Sequence, residues 1–177
     1  MNNKLEVWQR GAVPDVPLLL QPVAHALLQI GEEAHRIMED FPDELLWERP
    51  ADVAPPAFHL QHIRGVIDRL FTYARKEQLR EDQMHSLLME DKQEKNQLTA
   101  RELIEQLDKQ IGQAIKELAD VKEDTLNEVR GVGRKQIPTT LIGLYFHTAE
   151  HSMRHIGQLL VTVRILKAAQ QNTSTFI

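Results

Sequence analysis

Three histidines, His147, His151 and His155, stand four residues apart late in a 177-residue chain, and two more, His59 and His62, stand in Phe-His-Leu-Gln-His-Ile. On a helix a step of four residues turns the side chain by only about 40° and advances it by about 6 Å, so adjacent members of the first series share a face. Two such imidazoles can clamp one ion, and a third from a packed neighbouring helix completes an open three-nitrogen site. Imidazole binds metal in its neutral form, and such a set suits one borderline divalent ion: zinc, nickel or iron(II). The coordination position left free would activate water or bind an anionic atom of a small-molecule substrate.

His151 and His155 fall between Leu144 and Leu159 on the side that must face a core, and His62 lies beside the stripe Ile63, Val66 and Leu70. Unpaired imidazoles there would each leave a hydrogen bond unmade, at about 1–3 kcal/mol. A shared ion removes that cost, which favours His62, His151 and His155 as ligands. His59 and His147 stay open between outer or pocket-lining positions and solvated positions one turn away. His25, His35 and His85 read as ordinary histidines satisfied by a carbonyl or water.

The elements that must position these rings are helices. Apolar residues recur at three- and four-residue intervals from Leu18 to about Asp40, again from Pro56 to Phe71, and from Thr99 to about Val121, where Thr99 and Glu102 spell a capping box. A last helix is expected from Pro138 to about Lys167 and a short connecting one from Arg80 to Glu90. Residues 123–136, with Gly131, Gly133, Arg134 and Lys135, read as a loop, and no segment alternates over strand length. The expectation is one all-α domain over residues 1–177, a four-helix bundle with a short extra helix in the helix 2–3 connection. Residues 1–17 form an N-terminal extension and 170–177 a frayed tail.

Composition removes whole classes of chemistry. The chain has no cysteine, so disulfides, thiolate metal sites and cysteine nucleophiles are excluded. Its net charge is −5 and no basic block stands apart from acidic neighbours, so no nucleic-acid partner is expected. Residues 1–10 lack the pattern of a signal peptide, no apolar run approaches a membrane span, and a cytoplasmic location is expected.

Residues 150–158, Glu-His-Ser-Met-Arg-His-Ile-Gly-Gln, resemble the His-x-x-x-His-x-Gly-Gln signature on the last helix of the DinB/YfiT-like metalloprotein family. His59-Leu60-Gln61-His62-Ile63 is similar to that family's second-helix motif, and its position before Ile63 and Gly65 matches the ligand to His62. The resemblance implies a four-helix bundle, commonly a homodimer, with a three-histidine site for a divalent metal. It also implies a thiol-transferase-like activity, in which the metal holds a low-molecular-weight thiol as thiolate against an electrophile, or a metal-dependent isomerase or hydrolase. The family's usual arginine before the glycine is replaced here by Ile156, with Arg154 two places earlier. Gln158 is expected in the pocket wall or behind the ligands, and Glu150 and Gln158 are the candidates for a catalytic role.

Two other readings compete. His147-Thr148-Ala149-Glu150-His151 spells His-x-x-Glu-His, a zinc-peptidase motif with Glu150 as base, but such peptidases are larger mixed α/β folds. The bundle could instead be a noncatalytic binder of a small molecule or protein with a structural metal. Glu32-x-x-His35 fits half of a di-iron unit and has no second copy.

Overall fold

The computed structural model describes residues 5–93 and 98–174. Their frame is a bundle of four long helices: α1 Gln21–Met38, α2 Pro56–Ala74, α4 Ala100–Ala119 and α5 Leu141–Ser174. The short α3, Glu81–Met89, lies in the connection between α2 and α4, as its sequence implied. Each long helix follows its apolar stripe. Leu27 and Ile30 from α1, Ile63, Ile67 and Phe71 from α2, Leu107 and Leu118 from α4, and Ile156 and Leu159 from α5 meet in one buried core.

The extensive pairings are α2 with α5, α1 with α5, α2 with α4 and α1 with α4. Helices α1 and α2, although consecutive, therefore face each other across the bundle diagonal, so the chain crosses over between them. No helix among the described residues is long and apolar enough to cross a membrane.

The ends are fixed by local chemistry. At α4 the Thr99 hydroxyl accepts from the Glu102 backbone N–H at 3.2 Å, and the Glu102 carboxylate accepts from the Thr99 N–H at 2.8 Å. Pro56 opens α2, where its missing N–H would have had no partner. The extension before α1 makes a 3-10 turn at Val7–Arg10, docked through the Val7 N–H on Gln29 and through Arg10 on Glu32.

Two expectations are corrected. The segment read as a loop running into a helix at Pro138 is an antiparallel hairpin, β1 Val129–Val132 with β2 Ile137–Thr140, in the register Val129 with Thr140 and Gly131 with Pro138. Pro138 is tolerated because a two-stranded ribbon consists of edges. Buried Arg130 explains why the hairpin docks here: its Nε donates at 2.6 Å to the Ala74 carbonyl, one of the unpaired acceptors at the end of α2. The last helix also runs past Lys167 to Ser174, so residues 170–174 of the expected frayed tail are helical, and 175–177 lie outside the described residues.

Removing the α4 cap isolates one such local term. Thr99→Ala is expected to lower stability by about 1 kcal/mol with the fold intact. Urea unfolding checks this as a lower midpoint at an unchanged slope.

Candidate metal centre

Helices α2 and α5 make the most extensive pairing in the bundle, and the histidines of both motifs lie in that seam. His62 comes from the second turn of α2, and His151 and His155 come from successive turns of α5. One ligand nitrogen from each of these three residues lies within 4.8 Å of the others. His62 Nε2 is 3.0 Å from His151 Nε2, and the His62 and His155 ring centroids are 4.5 Å apart. Nitrogen ligands about 2.0–2.1 Å from zinc in a tetrahedron stand roughly 3.3 Å from one another, so the three rings fit one ion with small side-chain rotations.

The outer nitrogen of His62 reports its tautomer. Nδ1 lies 2.8 Å from Oε2 of Glu90, a carboxylate only 4% exposed, at the end of α3. A carboxylate oxygen accepts, so Nδ1–H of His62 donates to it, and Nε2 is the ring nitrogen turned toward His151. The second oxygen, Oε1, accepts from Nη1 of buried Arg69 on the same helix as His62. Gly65 leaves the room for this: a methyl group there would overlap Glu90 Oε1 and Arg69 Nη1. A carboxylate behind a metal-binding histidine fixes ring orientation and raises ligand basicity.

His59 is buried and serves His155. Their Nδ1 atoms are 3.0 Å apart. Phe58 stacks on His62 with ring centroids 5.1 Å apart and meets the His59 and His155 rings edge-on. Burial, then the neighbouring His62, lowers the His59 pKa to about 4. Burial and the other three rings lower His155 to about 3, and burial with His62 and His147 also lowers His151. These three rings are neutral at pH 7, the form that binds metal.

The His-x-x-Glu-His residues form a second, more exposed group, in which ligand atoms of His147, Glu150 and His151 also lie within 4.8 Å of one another. Glu150 is already engaged: it accepts from Arg154 Nη2 at 2.6 Å and pairs with His147 Nδ1 at 2.8 Å. The hydrogen bond from Arg154, with that from His147, holds its carboxyl below the usual range, which makes it a weak base. Gln158 is exposed on α5, beside a cleft that reaches His155. The remaining histidines are accounted for locally. His25 meets the Gly11 carbonyl at 2.9 Å, His35 meets Asp108 at 2.7 Å, and His85 is exposed.

This is a helical bundle whose α2–α5 seam carries a set of imidazoles that could hold a metal. The sequence pattern of the DinB superfamily matches residues 26–159, from within α1 to well inside α5, and the chain belongs to that family. A crystal structure of a Streptococcus pneumoniae protein is similar in fold, with a TM-score of 0.60 at 15% identity over 82% of this chain and 88% of that one. No curated protein matches the chain.

Two outcomes test the site. Glu90→Gln is expected to weaken zinc binding about 10–100-fold in competition with a chelator, with Gly65→Ala moving it the same way; unchanged affinity would reduce the carboxylate to a partner of Arg69 alone. Metal-free protein should lose stability on acidification. The unfolded chain takes up protons near pH 6.5, whereas folded His59 and His155 do not until about pH 4 and 3, so the contribution is complete above 6.5 and declines below it. Melting in chelator should show a lower Tm at pH 5 than at pH 7.5, with a shallower fall in His155→Asn.

Proposed function

We propose that the chain is a metal-dependent enzyme in which His62, His151 and His155 hold one divalent ion, zinc, nickel or iron(II), and act on a small molecule by thiol transfer. The supporting observation is the convergence of three imidazoles from α2 and α5, one of them backed by a buried carboxylate. A Lewis-acid ion with a free position would lower the proton affinity of a low-molecular-weight thiol, or of water, at neutral pH.

The protein's own residues do the rest. Glu90 and Arg69 keep His62 in one tautomer, and His59 steadies the ring of His155. Phe58 covers one face of the His62 ring. His147, with its ring centroid 5.2 Å from that of His151 and half exposed, is the residue we assign to pass the released proton to solvent. Gln158 offers an amide at the edge of the site. Peptide hydrolysis through Glu150 has less support, because Arg154 and His147 occupy its carboxylate.

The test combines metal analysis with turnover. Purified protein should hold close to one ion per chain, and His62→Ala, His151→Ala and His155→Ala should each lose it. Loaded protein should accelerate transfer of cysteine to monobromobimane, with the sulfur bonding to carbon and bromide leaving, and His147→Ala should keep the ion and lose rate. Full occupancy without turnover of any thiol or ester would identify a noncatalytic bundle with a structural metal.

A further inference from the structure

Beside the imidazoles, a cleft of about 630 Å³ opens between α5 and the 3-10 turn at Pro50–Asp52. Its walls are apolar: Val53 and Phe58 on one side, Val161 and Ile165 on the other. Val53, Val161 and Ile165 are each close to half exposed, so the protein leaves this greasy surface facing water. Two of the site histidines, His59 and His155, line the same cleft, and Arg154 and Gln158 supply its polar groups. The volume falls within the range of small-molecule sites, which are mostly apolar with a few convergent polar groups.

Gly157 sharpens this reading. It sits inside α5, where glycine is a poorer helix former than alanine, and its φ is not in the left-handed region. Apart from its chain neighbours and the backbone of its own helix turns, no atom lies within 4 Å of where its Cβ would be, so no side chain or packed neighbour demands a glycine. What the missing side chain leaves is open room in the cleft, two residues from His155. The turn opposite holds Ala51 and Asp52 at φ of 51° and 60°, and presents Val53 across the gap.

We propose that this cleft holds the apolar body of the substrate, a compact alkyl or aryl group, with the reacting end directed at His155. The inference rests on the proposed function only for that reacting end. The cleft itself makes a claim testable without metal. A second copy of the chain would cover the same apolar residues, but a concave surface floored by two imidazoles fits a small molecule better than the flat face of another helix.

Binding of n-alkanols from butanol to octanol to the metal-free full chain, followed by methyl NMR, tests the claim. Shifts should centre on Val53, Val161 and Ile165, and Kd should fall about fourfold per added methylene until the cleft is full. Gly157→Leu should weaken octanol binding at least tenfold while zinc affinity is retained. Should that variant fail to fold, Val161→Asp, on the exposed wall, should bring the same loss. Scattered shifts, or a Kd indifferent to chain length, would overturn the proposal. So would a dimer that Val161→Asp dissociates with alkanol binding intact, which would assign the face to a second copy. Alkanol binding in a protein that binds no zinc would sink the metal reading and leave the cleft standing; zinc binding without alkanol binding would do the reverse.

Discussion

Both oxygens of the Glu90 carboxylate are engaged inside the protein, one by Arg69 and one by His62, and the setting of the His62 ring in the histidine cluster follows from that sharing. A buried carboxylate is costly unless its charge is matched and its lone pairs are filled. Arg69 matches the charge, and His62 fills the remaining oxygen, so neither ring nor acid can turn away without stranding the other. Gly65, one turn of α2 from both Arg69 and His62, is the spatial condition for the arrangement. The short helix α3 is thereby more than a connector. Its apolar residues Met84, Leu87 and Leu88 stay largely exposed, and its seat on α2 is polar, through Gln83 on Thr72 and Glu90 on His62.

Two glutamates near the rings show how differently sequence and structure rank the same residue type. Glu150 stands in a recognisable motif, yet it lies on an exposed flank with Arg154 and His147. Glu90 stands in no motif, yet it is the acid that reaches His62 in the histidine cluster. It lies 28 residues from His62, at the end of a nine-residue helix, and no period links the two positions. Only the docking of α3 brings them together.

The long helices and the three imidazoles were legible because both rest on the same periodicity. A stripe of apolar residues marks the buried face, and histidines at steps of four inherit its direction. The choice of His62 over His59 was legible, but what His59 does was not: nothing in the sequence pairs it with a residue of the last helix, and its Nδ1 meets that of His155 only once the seam is formed. The hairpin was missed because four-residue strands are too short for alternation to register, and because Pro138 also suits the start of a helix. Its purpose, the burial of Arg130 on the end of α2, is a tertiary matter with no local signature. The fold tolerates large sequence change: a protein of 15% identity adopts it over most of its length, so the chemistry must be argued from the side chains in the seam.

The seam joins partners far apart along the polypeptide, for His62 and His151 are separated by 89 residues and α5 is the last helix among the described residues. During translation the early half-site therefore emerges alone, with two imidazoles and no opposite wall. Contacts between residues so far apart in sequence exist only once a long loop has closed. A chain broken off before His151 would therefore carry His59 and His62 without the imidazoles that meet them, and no set of three to offer an ion.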